Sequence, residues 1–229
     1  MDLDLRLKLL EQLYAIYGDF IRQQPLACTK GCSQCCTCNL TVTTLEGEYL
    51  RRKLHVEQHS DVLLHLLAVA DRPRYRPSVT LNRLADMCVR GEDPPEEEND
   101  PDWGACPMLK KDICPLYAAR PFGCRCMVSR KDCRKTGYAE VDPLVLTIND
   151  IFLQHIEHID AKGYSGNFTD ILLFLDRPEA AASYQQGQLG SPPEGLLANQ
   201  PLFTLMIPPE HREAVAPVLK AIRGIGPKG

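Results

Sequence analysis

The chain has 229 residues, 44% of them apolar, and a formal net charge of -4 at pH 7. That is enough for one domain with a real core, so its eleven cysteines are not needed as staples for a small scaffold. The slight acidity argues against a general binder of nucleic acid or of anionic membrane, because neutralising phosphates takes a clear surplus of Lys and Arg.

The first segment carries Leu3, Leu7, Leu10, Leu13, Tyr14, Tyr17, Phe20 and Ile21 at helical spacing, which predicts an amphipathic helix over 3–23. Its acids and bases are spread through the apolar positions, unlike a signal peptide, and no apolar run approaches the roughly 18 residues of a membrane span. The expectation is a cytoplasmic protein with no membrane and no nucleic acid as partner. In a reducing compartment dense cysteine usage reads as thiolate ligands before it reads as disulfides, and an odd count agrees.

Further along, Thr43-Thr-Leu-Glu46 has capping-box spacing and predicts a helix over 44–56; another should follow Ser60 and cover Leu63 to Leu67. Arg72 to Pro77 reads as a linker, since each proline disfavours helix before it. Thr80 caps a predicted helix that ends at Gly91, placing Cys88 on its core side. Gly91 to Asp102 holds seven carboxylates and no base, an exposed loop. Asp142-Pro143 opens a helix to about Ala161; further helices are expected over 170–175, 179–186 and 209–222. Only 40–44 and 202–207 look like strands, and 187–200 looks like loop.

The chemistry is concentrated in cysteine. Cys28, Cys32, Cys35, Cys36 and Cys38 lie within eleven residues, and Cys106, Cys114, Cys124, Cys126 and Cys133 form a second group. Cys32 and Cys35 have the spacing of a turn that wraps one ion, and Cys28 and Cys36 bring that loop to four thiols. Neighbours such as Cys35 and Cys36 rarely serve one tetrahedral ion, so a second metal is one role for the pair. Between 110 and 135 there are eight Lys or Arg against Asp112 and Asp132 alone, and Arg120 and Arg125 are expected to offset thiolate charge. Buried free thiols and a Cys32–Cys35 redox pair are the alternatives; the βαβ context of a thioredoxin-like dithiol is missing.

With Cys28-x3-Cys32-x2-Cys35-Cys36, then Cys106-Pro-Met-Leu, Cys114-Pro-Leu-Tyr-Ala-Ala-Arg-Pro and Cys124-Arg, residues 25–135 resemble the bacterial YkgJ family, the CxxCxxCC or zinc- or iron-chelating domain. The first interval is three residues where the family's name gives two, and Cys38 and Cys126 are extra. The resemblance implies Cys28, Cys32, Cys35, Cys36, Cys106, Cys114 and Cys124 as ligands, with Cys133 an eighth. It also reaches the cysteine region of the flagellin lysine N-methylase FliB, whose relatives are associated with an iron–sulfur cluster. The cofactor implied is an iron–sulfur cluster, of the 4Fe-4S type, or Zn2+; an all-sulfur donor set with two Cys-Pro steps suits either.

Other constellations are weaker. His155 and His158 share a helix face with Glu157 between them, but no carboxylate stands three before either His, as a di-iron bundle requires. His55 and His59 near a helix end read as favourable partners of its dipole. Asn149, Asp150, Asn167 and Asp170 are either caps or the lining of a pocket, and Trp103 reads as an apolar lid over the loops. The sequence thus predicts a mainly α single domain, 1–229, with helices around two converging cysteine loops: a core over 25–135 and a helical extension over 140–229. Three functions compete. They are a metal-binding protein with structural or redox-active metal and an unidentified protein partner, an iron–sulfur-dependent protein lysine methyltransferase, and a zinc-stabilised module whose acidic loop engages a basic partner.

Overall fold

The computed structural model describes residues 1–54 and 56–226, the side chains of 56, 57 and 59 excepted. About half the chain is helical, with a small three-stranded sheet, so the protein is mainly α. The longest elements are α1 (Leu3–Ile21) and α7 (Pro143–Ile159), which pack on each other. Leu10 and Leu13 of α1 and Ile148, Ile151 and Phe152 of α7 are wholly buried between them. Each such side chain contributes about 1.5–3 kcal/mol through area removed from water.

Helix α2 (Thr44–Lys53) starts where the sequence says it should: Thr43 Oγ1 accepts from the Glu46 amide, and Glu46 accepts from the Thr43 amide. Helix α3 (Val56–Leu67) begins earlier than Ser60. Helix α4 (Leu81–Arg90) runs from a Thr80 cap to Gly91 in the left-handed region at φ 67°. It turns Asn82 and Ala85 inward and leaves Cys88 exposed, so the expectation of a core Cys88 is wrong. Short helices α5 (Phe122–Arg125) and α6 (Cys133–Thr136) sit within the second cysteine group. Helices α8 (Phe168–Asp176), α9 (Pro178–Gln185) and α10 (Arg212–Arg223) follow α7.

The sheet corrects the strand expectations. Strand β1 (Thr41–Thr43) lies where 40–44 predicts it, but it pairs antiparallel with β2 (Tyr164–Asn167), and β2 with β3 (Leu196–Ala198), inside the supposed loop 187–200. Residues 202–207 form no strand. Their backbone groups are taken by α7 side chains instead: Gln154 Nε2 donates to the Thr204 carbonyl at 2.7 Å, the Met206 amide donates to Gln154 Oε1 at 3.0 Å, and the Leu202 amide to His158 Nδ1 at 3.1 Å. The apolar alternation there lays a strap across a helix.

Nor is 72–77 a free linker. Arg74 donates to the carbonyls of Ala70 and Arg72 in the turns after α3 and, with Arg76, to Asp170 on α8. Under the sheet, wholly buried Asp160 accepts from Arg6 at 2.8 Å, Thr44 Oγ1 at 2.6 Å, the Leu45 amide at 2.9 Å and Tyr184 at 2.7 Å, which joins α1, α2, α7 and α9. No helix among the described residues is long and apolar enough to cross a membrane.

Candidate metal centre

The first cysteine group hangs between α1 and β1 as two consecutive turns. The Cys32 amide donates to the Thr29 carbonyl at 3.1 Å, with Gly31 at φ 93° where L side chains are strained, and the Cys36 amide to Ser33 at 2.9 Å. The turns present Cys28 and Cys35 exposed, with Cys32, Cys36 and Cys38 half-buried.

The second group lies against the first. Thr37 and Ala105 form an antiparallel bridge, the Cys106 amide donates to the Cys36 carbonyl at 2.8 Å, and the Cys38 amide to Gly104 at 2.9 Å. This register sets Cys36 opposite Cys106. Trp103, expected as a lid, is a half-buried residue of the short 3-10 turn that leads into Gly104. Further along, the Ala27 amide donates to the Ser129 carbonyl at 2.9 Å, and the Ser129 amide to Cys28 Sγ at 3.2 Å. Ser33 Oγ donates to Asp112 Oδ1 at 2.5 Å, and Lys30 and Arg120 flank the Tyr117 ring, Arg120 at 4.1 Å.

Phe122 anchors the second group in the core. Its ring stacks on Phe152 at 5.5 Å and meets Tyr17 edge-on at 4.6 Å, while its amide donates to Glu46 Oε1 at 2.7 Å. Tyr14 donates to the same oxygen at 2.9 Å. Tyr17 donates to Asn149, whose amide donates on to the Cys126 carbonyl at 3.3 Å. Sequence reasoning missed Glu46, Phe122 and the two tyrosines as supports of this loop; an aromatic next to Cys124 in an otherwise turn-rich stretch was the available signal.

Burial pushes most of these thiols up: Cys106 to about 11, Cys126 to about 12, and Cys28, Cys114 and Cys124 also above the usual range. Against burial, the backbone at Met108 and Leu109 favours the Cys106 thiolate and that at Leu116 the Cys114 thiolate, while the Ser129 amide donates to Cys28 Sγ at 3.2 Å. At Cys106 and Cys114 proline follows the cysteine, and the next amides close turns on the cysteine carbonyls, Leu109 on Cys106 at 3.0 Å and Tyr117 on Cys114 at 3.2 Å. Cys36 alone is lowered, because the neighbouring Cys35 thiol stabilises its thiolate, and that same neighbour, with burial, raises Cys35.

Arg120 acts on Cys35, Cys114 and Cys124, in each case favouring the thiolate. Arg125 does not take the role expected of it: it covers the Tyr14 ring at 4.2 Å and donates to the Arg120 and Ala118 carbonyls, stapling the loop. Cys126 Sγ points to the Gly123 carbonyl at 3.4 Å, and Cys38 Sγ to Asn39 at 3.4 Å. Cys133 opens α6, its Sγ 3.8 Å from the Lys131 carbonyl.

Among the described residues no three Cys, His, Asp or Glu side chains converge as they stand on a point that would hold an ion. The donor chemistry nonetheless suits a soft metal: thiols from both loops lie on one face of a hydrogen-bonded junction, and one of them, Cys28, accepts a backbone N–H from Ser129. The histidines do not join them. His155 Nδ1 bonds the Ile151 carbonyl, and His158 Nδ1 accepts from Leu202. Glu157 accepts the Asn82 and Gln200 amides. His55 and the His59 side chain lie outside the described residues. Asn167 and Asp170 are likewise structural, the first capping α8 and bonding the Cys38 carbonyl, the second holding Arg74 and Arg76. Family models, curated proteins and solved structures give no match to this chain.

Proposed function

We propose that this is a thiolate metal-binding protein of a reducing, cytoplasmic compartment, with helices enclosing two cysteine loops that hold an iron–sulfur cluster or Zn2+. The ligand set is Cys28, Cys32, Cys35, Cys36, Cys106, Cys114, Cys124 and Cys133. One observation carries the reading: hydrogen bonds lay the two cysteine loops against each other, the Cys106 amide donating to the Cys36 carbonyl at 2.8 Å and the Ser129 amide to Cys28 Sγ at 3.2 Å. The second of these stabilises anionic sulfur and so favours its deprotonation when a cation arrives.

The metal, when bound, supplies either a rigid cross-link between the loops or a one-electron redox couple. The protein's own residues hold the sulfurs, and Arg120 offsets their charge. Closing the ligand set requires side-chain rotation from the arrangement described above, so metal energy becomes folding energy. Part of the acidic segment is tied to its own protein: Glu97 accepts from Tyr75 and from the Ser78 amide at 2.7 Å, and Asn99 from Asn39. The methyltransferase alternative gains no observation in its favour.

The test is anaerobic purification followed by metal analysis and visible spectroscopy. Brown protein whose broad absorption is bleached by reductant identifies iron–sulfur; colourless protein with stoichiometric zinc identifies zinc. Metal-free protein that takes up neither iron and sulfide nor zinc on anaerobic reconstitution overturns the proposal.

A further inference from the structure

We propose that the rim of the first cysteine loop is a docking face for an acidic segment of a partner protein. Lys30, Lys111 and Lys135 meet its carboxylates, and Ile113, Met127 and Tyr138 meet its apolar side chains. The chain as a whole is acidic, yet across 28–38 and 105–138 the one exposed acid is Asp112, among exposed bases. Four of those bases already hold acids: Lys110 pairs with Asp61, Arg130 with Asp142, Lys131 with Glu140 and Arg134 with Asp132. Lys30, Lys111 and Lys135 are exposed as well and form no ion pair among the described residues; Lys30 leans on the Tyr117 ring at 5.8 Å.

Hydrogen bonds gather these groups around one short stretch of chain. Ser33 donates to Asp112 at 2.5 Å, which sets Lys111 and Ile113, the neighbours of Asp112, beside one end of it. At the other end Ala27 and Cys28 are bonded to Ser129, whose hydroxyl also accepts the Glu140 amide at 2.9 Å. Met127 precedes Ser129 by two residues and Tyr138 precedes Glu140 by two, with Lys135 on α6 between them in the chain. Cys28 and Ser33 are five residues apart, at most about 18 Å, and Lys30 lies between them. A face of that span suits the roughly 800 Å² that each partner buries in an ordinary protein complex.

Ile113, Met127 and Tyr138 each leave more than half of their surface in water, and apolar, aromatic and methionine side chains ringed by charge are the make-up of a protein interface. The turn 110–113 adds to this. Two hydrogen bonds between Lys110 and Ile113, at 3.0 and 2.9 Å, close it, and its tip holds Lys111 and Asp112 at φ 49° and 62°, where glycine is the unstrained choice. Asp112 binds Ser33 from that tip, whereas the Lys111 side chain makes no hydrogen bond or ion pair among the described residues. The chain's own acidic stretch is engaged elsewhere, Glu97 by Tyr75 and Ser78 and Glu92 by Arg83 and Arg90. Nucleic acid calls for more than three free cations, since affinity there grows with each phosphate neutralised.

The test is fluorescence anisotropy on the full-length, anaerobically purified protein with three labelled peptides of one length: Glu and Leu interspersed, the same with Lys for Glu, and the same with Ser for Leu. The first is expected to bind, more weakly as ionic strength rises, and to bind more tightly than the other two. Lys111→Glu combined with Lys135→Glu should weaken it about tenfold, and Ile113→Ser should weaken it without altering its salt dependence. Unchanged binding by the charge-reversed protein, equal binding of the Lys peptide, or no binding at all overturns the inference. So does tighter binding of a single-stranded oligonucleotide or of phosphatidylserine vesicles, and so do salt-sensitive dimers that exclude the peptide, which assign the face to a second copy. These variants leave the first loop untouched and metal content is measured on each, so the metal-binding reading and the docking inference stand or fall separately.

Discussion

The Phe122 amide donates to Glu46 Oε1 at 2.7 Å, so the carboxylate that closes the α2 capping box also holds the start of α5, which carries Cys124 and ends on Cys126. Glu46 is buried, and it takes four donors in all, from Thr43 (amide and hydroxyl), Tyr14 and Phe122. One side chain thereby fixes the second cysteine loop to the rest of the domain. Glu46→Ala strands several of these donors without water and should cost about 3 kcal/mol in urea unfolding. Glu46→Gln keeps the shape but faces donors with a donor, and should cost about half as much. Amide exchange should quicken at 122–126 in both. Unchanged exchange there would mean the loop is held by Phe122 packing alone.

Gly123 is the next constraint on the same loop. A Cβ at this position would sit 2.6 Å from Leu40 Cδ1 and 3.3 Å from the Thr41 carbonyl. Leu40 can shift, but the β1 backbone cannot follow without loosening its pairing with β2. Gly123→Ala should therefore destabilise by about 2 kcal/mol and lower metal occupancy in the reconstitution assay. Gly187→Ala, by contrast, meets nothing within 4 Å and should keep full occupancy, whatever its left-handed φ costs locally.

Caps were the most legible feature of the sequence, because their signals are local: Thr43 with Glu46, Thr80 with Gly91, and Asp142 before Pro143 all stand where the spacing put them. The sheet was not legible. Strand β2 is Tyr-Ser-Gly-Asn, with a glycine at its centre. A Cβ on Gly166 would lie 2.5 Å from Leu196, so its smallness serves close approach of strands and carries no strand propensity. Residues 202–207 show the reverse error, an alternating pattern whose backbone partners turn out to be Gln154 and His158. The density of thiols could be read directly, while their supports, Glu46, Tyr17 and Asn149, come from elements far apart in the chain and could not. Cys88 was misplaced because periodicity fixes a helix's phase only to within a neighbouring residue; exposed on α4, it should be alkylated readily, and Cys88→Ser should leave metal content unchanged when both proteins are assayed side by side.

Acid should weaken one tertiary link in particular. Burial alone would raise the Asp170 carboxyl, but hydrogen bonds and charge from Arg74 and Arg76 hold it below the usual range. A depressed folded pKa contributes stability that is present above the unfolded value of about 3.9 and is lost as pH falls through the folded value beneath it. The Arg74 side chain is only 6% exposed, so Asp170→Asn leaves a nearly buried cation unpaired and should cost about 2 kcal/mol at pH 7. As pH falls through that lowered folded value, wild type and variant should converge. Denaturation midpoints measured across that range check this, and a constant difference at all pH values would count against it.

Asp150 should behave oppositely. It lies on α7 beside the Asn149 that bonds the Cys126 carbonyl, it raises the Cys126 thiol, and it makes no hydrogen bond among the described residues. Burial raises its carboxyl to about 6. A folded pKa above the unfolded one means the ionised form is a cost to folding, complete above pH about 6, fading as pH falls toward 4, and gone once both states are protonated. The side chain keeps part of its surface in water, so the penalty should be only about 1 kcal/mol at neutral pH after solvent screening. Asp150→Asn removes the charge at almost constant volume, and should stabilise the metal-free protein by that amount at pH 7.5 with no gain at pH 3.5. A loss of stability at pH 7.5 would show that the carboxylate has a favourable partner.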